Sequence, residues 1–241
     1  MTWWRIEPCC GSSFTQEEKI TALDLLRQLP DRETLKSISR SLATLDLIMS
    51  PSWEGRYYSY DSAWGEHEEF ASMRNGQGDE YSIVFGPGGV YVRGFSHESP
   101  MAPAKLSGSL WPGVVDSVPE IFREYVEEPS FGGSDGPLVT VCLWWLDEQD
   151  AAWHCGDIDF PDVEDPDGSD FLFSLVIDQS PENYLKFARS YYGVELDLSI
   201  VHAIYNMQPL TPEIISTLNP EIGLTDIMED LEEIGYPVEK L

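Results

Sequence analysis

Three runs of aromatic and β-branched residues, separated by glycine-rich connectors, constrain the fold of this 241-residue chain more than any other feature. The runs are FASMR (70–74), EYSIVF (80–85) and VYVRGF (90–95), and the connectors contain NGQG and GPGG. Connectors of this kind join antiparallel neighbours. The stretch therefore predicts three strands of an antiparallel sheet, with Tyr81, Ile83 and Phe85 on one apolar face.

Two later runs, PLVTVCLWWL and AAWHCGDIDF, predict a β-hairpin of residues 138–146 and 151–160 across the turn DEQD. A symmetric turn would oppose two pairs of residues, namely Trp144 with Trp153 and Cys142 with Cys155. The sequence leaves open whether the two thiols bond. The four cysteines of the chain make no C-x-x-C pair and no zinc spacing.

Helical periodicity lies on both sides of these strands. A capping box at Thr15–Glu18 and a second apolar repeat over 35–48 predict an N-terminal helical hairpin within residues 1–50. A short helix is expected near 117–127, inside a mainly antiparallel region over 53–160. Residues 169–241 are expected to form a helical cluster, with helix starts at Ser180, Asp197, Thr211 and Thr225. This order predicts a single α+β domain over 1–241, with an antiparallel sheet of about five strands.

The charge of the chain restricts its partners. Forty-three acids against fourteen lysines and arginines give a formal net charge of −29. Such a chain should repel nucleic acid and anionic membranes, so we expect neither as a partner. A basic protein is the partner that the charge favours, and solubility alone is the alternative explanation. The start MTWWRIEPCCGSS has no apolar segment of a secretory signal, so we expect a cytoplasmic protein with reduced thiols.

The acidic tract DIDFPDVEDPDGSD (157–170) partly resembles a calcium-binding loop. Asp165, Asp167 and Gly168 take the third, fifth and sixth positions of that loop, but Val163 and Ser174 stand where the end ligands belong. We therefore expect no metal and no cofactor, and we assign these acids to a solvated loop and a helix start. The glycines of RNGQGDEY lack the lysine of a phosphate-binding loop and favour a hairpin turn.

The stretch RGFSHESPM (93–101) contains the strongest candidates for chemistry. His97 beside Glu98 could form an acid–base pair, with Ser99 as a third catalytic candidate. The competing interpretation is a corner where the chain leaves the sheet, because serine side chains bond local backbone and Pro100 favours a turn. We favour the corner, with His97 or Glu98 bonded to nearby backbone. Neighbouring candidates for binding a ligand are Arg74, Asp79 and Glu80.

Several stretches resemble an uncharacterised family of bacterial proteins. They are MRNGQGDEYSIVF (73–85), GFSHESPM (94–101), LWPGVVDSVPEIF (110–122), YYGVELDL and LTPEIISTLNPEI. The resemblance covers most of the chain beyond residue 55 and implies no activity. It implies that five residues belong to a shared pattern, namely Asp79, Glu80, His97, Glu98 and Ser99.

The sequence favours a non-enzymatic function without closing the question, because no catalytic motif in it is complete. We expect a cytoplasmic binding protein, in its most specific form an immunity-type protein that neutralises a basic toxin domain. The alternative is a small-molecule-binding protein or a hydrolase with a pocket near His97 and Glu98.

Overall fold

An antiparallel β-sheet forms the centre of the computed structural model, which describes residues 20–133, 136–147 and 152–239. The strands are β1 (Tyr58–Gly65), β2 (Glu68–Arg74), β3 (Glu80–Gly86), β4 (Gly89–Phe95), β5 (Gly132–Gly133), β6 (Gly136–Pro137), β7 (Val141–Leu146) and β8 (Trp153–Cys155). Within the described ranges the main sheet has six strands in the order β1-β2-β3-β4-β7-β8, and β5 pairs with β6 in a separate ribbon.

Helices precede and follow the sheet. They are α1 (Ala22–Gln28), α2 (Arg32–Met49), α3 (Arg123–Val126), α4 (Ser169–Asp178), α5 (Pro181–Tyr191), α6 (Leu198–Tyr205), α7 (Pro212–Leu218) and α8 (Met228–Ile234). Short 3₁₀ helices lie in the connections at Trp53–Gly55, Pro103–Leu106, Glu120–Phe122, Pro129–Phe131 and Leu224–Asp226. In the part of the chain that the structure describes, no helix is both long and apolar enough to cross a bilayer.

The α+β class predicted from the sequence is confirmed, but the main sheet has one strand more than expected. The additional strand is β1, whose tyrosines at 58 and 60 are buried while Ser59 and Asp61 alternate with them. The sequence of β1, YSYDSAWG, also contains serine, aspartate and glycine. Aspartate and glycine are rare in strands, so they weaken the strand signal that the alternating tyrosines give. The alternation itself was the signal that could have identified β1.

A pair of local hydrogen bonds marks the start of α1. The Asp24 carboxylate accepts them from the backbone N–H and the hydroxyl of Thr21, at 3.0 and 2.9 Å. The capping box expected at Thr15–Glu18 lies outside the described residues. Although α1 and α2 follow each other directly, α1 packs on β7, β8 and α4, whereas α2 packs on β1 and the C-terminal helices.

The C-terminal helices begin where polar capping residues precede a proline or an apolar repeat. The side chains of Ser180, Asp197 and Thr211 each accept a backbone N–H at the starts of α5, α6 and α7. The predicted starts at these three positions are confirmed. The predicted start at Thr225 is a 3₁₀ turn, and α8 itself begins at Met228 and ends at Gly235 in the left-handed conformation.

The main sheet is covered on both faces. The alternation of Tyr81, Ile83 and Phe85, which is typical of a sheet with one face buried and the other in solvent, therefore identifies only one of the two covered faces. One face, here called the helix face, carries those three residues and packs against the helices. The opposite face, called the loop face, carries Val84 and Tyr91 and packs against segments between residues 101 and 139. The central strands are therefore almost continuously buried, which is typical of a sheet covered on both sides.

The hairpin of β7 and β8 exists, but its predicted register is wrong by one residue. Trp145 lies opposite Trp153, with ring centroids 5.6 Å apart, and Trp144 lies opposite His154. Trp153 belongs to the helix-face core, and residues paired across antiparallel strands share a face. Cys155 consequently lies opposite Leu143 on the helix face, whereas Cys142 is buried on the loop face, and both cysteines are free.

A buried carboxylate joins the longest helix to the sheet. Asp46, in the last turn of α2, is fully buried and accepts the backbone N–H groups of Tyr57 and Tyr58 at 2.6 and 2.7 Å. The Tyr184 hydroxyl approaches it at 3.4 Å. The buried guanidinium of Arg56 closes the same connection by donating to the carbonyls of residues 50 and 51 and to Asp230. These contacts fix where β1 begins.

The outer strands of the main sheet are irregular or short. In β1, the pairing with β2 shifts between Asp61 and Gly65. Within this shifted part, the Ser62 hydroxyl donates to the carbonyl of Glu233 in α8 at 2.7 Å. At the opposite edge, β8 has three residues.

We predict that Asp46 makes the stability of the protein depend on pH near neutrality. Burial raises the pKa of Asp46 to about 7, against the opposing effect of the backbone hydrogen bonds from Tyr58 and Tyr57. The stabilisation from a carboxyl with a raised pKa is complete below its unfolded pKa of about 4 and is lost as pH rises through about 7. The loss amounts to roughly 4 kcal/mol of unfolding free energy for a shift of about three units.

Asp46→Asn cannot ionise, so it should lose this dependence. Urea unfolding at several pH values between about 5 and 8 should show wild-type stability falling relative to the variant as pH rises. Parallel curves for the two proteins would show that the Asp46 carboxyl does not titrate in this range.

Candidate functional site

An acidic groove lies at one end of the sheet, where three segments distant in sequence meet. The turn between β2 and β3, the turn after β4 and the loop before α4 enclose about 440 Å³. The lining residues are Asn75, Gln77, Asp79, Ser96, Glu98, Ser99, Pro100, Glu164, Asp165 and Phe171. The fold therefore brings the sequence candidates near position 97 together with the acidic tract at 157–170.

The turn between β2 and β3 is built by Asn75. Its side-chain oxygen accepts the backbone N–H groups of Gln77 and Asp79 at 2.8 and 3.1 Å, and its amide donates to the Asp79 carboxylate at 2.6 Å. Gly76 and Gly78 adopt φ values of +72° and +109°, which disfavour side chains. The glycines of this connector thus serve the hairpin turn that the sequence predicts.

His97 and Asp79 form the most specific contact beside the groove. The Asp79 Oδ1 atom lies 2.8 Å from His97 Nδ1 and accepts the His97 backbone N–H at 2.9 Å. Partial burial would raise the pKa of Asp79, but the hydrogen bonds from His97 and Asn75 hold it below its ordinary value. The carboxylate is therefore charged at neutral pH and orients the imidazole.

The three catalytic candidates occupy very different environments. His97 is about half-exposed, with 41% of its side-chain surface accessible, and Glu98 is 86% exposed, with its Oε1 atom 3.9 Å from His97 Nε2. Ser99 is buried, and its hydroxyl donates to the Pro166 carbonyl at 2.7 Å and accepts the Met101 N–H at 2.9 Å. Ser99 therefore ties the corner to the loop before α4.

His97 and Glu98 lie at the corner expected from the sequence, but the hydrogen bonds there differ from those expected. His97 and Glu98 follow β4 directly, where the chain leaves the sheet. The His97 side chain pairs with the Asp79 carboxylate, and the side-chain bonds to backbone are made by Ser99 instead. Asp79 directly precedes the neighbouring strand β3. Its carboxylate binds the imidazole in place of backbone, and the stretch around position 97 gives no sign of this partner.

The acidic tract is only partly a solvated loop. Asp167 is fully buried and accepts the N–H groups of Ala22 and Ser169 at 2.8 and 3.0 Å, so it caps the starts of α1 and α4 together. Burial raises the pKa of Asp167 to about 6 despite these hydrogen bonds. Asp165 accepts the Asp170 N–H at 3.2 Å, and burial raises its pKa as well.

Across the described ranges, no group of three or more histidine, cysteine, aspartate or glutamate side chains is placed to hold a metal ion. Asp167 uses its two oxygens on helix N–H groups, as described above.

Two of the three binding candidates lie away from the groove. The Arg74 guanidinium lies 4.1 Å from the centre of the Trp53 ring and donates to the Trp53 carbonyl. Glu80 pairs with the buried guanidinium of Arg93. Both residues line a different cavity, so only Asp79 among the binding candidates lines the groove.

Sequence reasoning missed the contributions of Asn75 and Phe171 to this site. Asn75 could have been found from its place at the start of the NGQG connector, because asparagine commonly bonds backbone two residues ahead. Phe171 lies in the first turn of α4 and is half-exposed. An apolar side chain in a helix is expected to face the core, so nothing in the sequence indicated that Phe171 lines the groove.

We predict that the corner depends on Asp79 and His97 and not on Glu98. Asp79→Ala leaves the His97 and Asn75 donors unpaired and should lower the unfolding free energy by about 1–3 kcal/mol. His97→Ala should cost about 1 kcal/mol, and the control Glu98→Gln less than about 0.5 kcal/mol, as measured by urea unfolding at pH 7. An equal cost for the control and for His97→Ala would contradict this assignment.

Comparison with known proteins adds no relative to these observations. No protein-family model, no curated protein and no solved structure is similar enough to the chain to count as a match. The function must therefore be argued from the contacts and charges of the site itself.

Proposed function

We propose that this chain is a non-enzymatic binding protein whose partner is a basic protein, bound through the acidic groove. In its most specific form the partner is a toxin domain, and the chain is its cytoplasmic immunity protein. The observation that carries the proposal is the composition of the groove. It has four carboxylates, on Asp79, Glu98, Glu164 and Asp165, and no lysine or arginine among the described residues that line it.

The distribution of charge over the structure supports this proposal. Six basic side chains in the described ranges form ion pairs with carboxylates, namely Arg32, Lys36, Arg40, Arg56, Arg93 and Arg189. These cations are neutralised within the chain, and the 43 acids far outnumber its 14 lysines and arginines. Most of the negative charge is therefore left to attract a partner. A surface of one sign steers an oppositely charged partner and raises its association rate.

The groove also offers an apolar contact for the stem of a basic side chain. Phe171 has half of its surface exposed, and Pro100 lines the same groove. Lysine and arginine bury their aliphatic stems against apolar surface while their charged ends remain near carboxylates. An aromatic face also attracts a cation directly. A protruding lysine or arginine of a partner therefore fits both parts of the lining.

A second candidate function uses the His97–Asp79 pair as an acid–base group. The observation in its favour is the 2.8 Å contact, because a carboxylate on Nδ1 fixes the imidazole orientation in many catalytic sites. Turnover of an ester substrate that His97→Ala abolishes without loss of stability would favour this candidate over the binding protein.

The binding proposal predicts a charge-dependent affinity that is specific to the groove. A peptide rich in lysine and arginine should bind the full chain, and a counterpart with glutamate at those positions should not. Binding should weaken by about tenfold or more between roughly 50 and 300 mM salt, measured by calorimetry or fluorescence anisotropy.

Charge reversal separates the groove from the net charge. Glu98→Lys with Glu164→Lys should weaken peptide binding by about tenfold. The matched control, Glu229→Lys with Glu232→Lys, makes the same charge change on exposed positions of α8 and should weaken it by less than about threefold. Equal losses in both variants would assign the binding to net charge, and the groove would not be the site.

A further inference from the structure

A second cavity lies on the loop face, over β1, β2 and β3, and shares no lining residue with the acidic groove. It encloses about 420 Å³, which is within the size range of small-molecule sites in proteins. The proposed partner protein does not account for it, and two of the binding candidates predicted from the sequence, Arg74 and Glu80, are among its lining residues. Its lining combines aromatic rings with a group of serine hydroxyls.

The floor of the cavity is a row of three serines on adjacent strands. Ser59 lies opposite Ser72, and Ser72 lies opposite Ser82, so their side chains share the loop face. The hydroxyls of Ser59 and Ser72 are 2.9 Å apart and share one hydrogen bond. The hydroxyl of Ser82 has no hydrogen-bond partner among the described residues, although only 4% of Ser82 is exposed.

This floor has unused hydrogen-bonding capacity. Each serine hydroxyl carries one donor, and the Ser59–Ser72 contact uses one of three. The Ser82 oxygen is not shut off from solvent, so its hydroxyl is open to a hydrogen-bond partner inside the cavity. A polar group of a ligand in the cavity would provide that partner for Ser82.

Three aromatic rings form a stacked wall beside the serines. The ring of Trp64 is stacked on Phe70 and Phe131, with centroids 5.2 and 5.9 Å away, and Phe70 is stacked on Phe131 at 5.5 Å. The interplanar angles of these contacts are 24° or less. A wall of nearly parallel rings favours a ligand that is itself flat and aromatic.

Charge at the cavity disfavours an anionic ligand. Glu80 is neutralised by Arg93. The Arg74 guanidinium keeps its positive charge, but its stacking on Trp53 and its bond to the Trp53 carbonyl hold it there. The carboxylates of Asp61 and Glu233 also line the cavity and outweigh it, and the chain carries −29 overall. A phosphate group would therefore meet repulsion rather than a cationic site.

From these features we propose that the cavity binds an uncharged, planar heteroaromatic compound of about nucleoside size. The ligand ring stacks on Trp64 and Phe70, the two partly exposed rings of the wall, which the buried Phe131 supports. Its polar edge bonds the hydroxyls of Ser82 and the neighbouring serine pair. This site is independent of the acidic groove, so the two proposals succeed or fail separately.

The test uses adenosine, uridine and nicotinamide as probes against the full chain, in ligand-observed NMR and calorimetry. At least one probe should bind saturably with a dissociation constant of about 1 mM or tighter. Trp64→Ala should weaken that binding by about tenfold, and Ser82→Ala by about fivefold, through loss of stacking and of one hydrogen bond. Trp111→Leu changes a tryptophan of a third cavity and should leave the binding constant unchanged.

Ser82→Ala is a small change, so it tests the site even if Trp64→Ala fails to fold in a thermal unfolding control. The proposal is overturned if no probe binds with a dissociation constant of about 1 mM or tighter, or if neither variant alters the affinity. It is also overturned if adenosine monophosphate binds more tightly than adenosine, or if methyl glucoside binds while the aromatic probes do not. Unchanged binding in the groove variant Glu98→Lys with Glu164→Lys is expected.

Discussion

The Asp46 carboxylate is the contact on which the arrangement of the layers depends. It connects the end of α2 to the first N–H groups of β1, and Arg56 holds the intervening turn. Because β2, β3 and β4 each pair with the strand before them, the position of β1 against α2 also places these strands against the helices. Both the acidic groove and the serine floor lie on strands or turns placed by this succession. Removing the Asp46 carboxylate from water costs free energy. Its hydrogen bonds form in only one arrangement of α2 and β1, so the buried carboxylate specifies that arrangement.

The protein separates its charges between interior and surface. Arg93 is 1% exposed on the loop face and donates to the carbonyls of Phe131 and Leu138 as well as to Glu80. Cations are thus used to hold loops and carboxylates in place, whereas carboxylates dominate the outer surface. The covering of the loop face by irregular segments depends on this buried arginine, since it bonds the backbone of the segment around β5 and β6.

Sequence patterns predicted the parts of the fold that depend on local chemistry. The helix starts at Ser180, Asp197 and Thr211 follow from side chains that bond N–H groups within the next three residues. The contacts between distant segments could not be read in this way. Asp167 belonged to an evidently polar loop, and its burial depends on α1, which is 145 positions away. Likewise, aspartate and glycine weakened the strand signal of β1, and the pairing of His97 with Asp79 required the register of β3 and β4.

The irregular outer strands bear on how copies of this chain behave at high concentration. An exposed strand edge offers unpaired N–H and C=O groups, which can template pairing with another molecule and lead to fibrous aggregates. Here β8 offers three residues, and β1 is interrupted at Asp61 and held to α8 through Ser62. Mutual repulsion between highly acidic copies also opposes such pairing. The sheet is therefore a poor template for intermolecular β-pairing, although its central strands are buried over nearly their whole length.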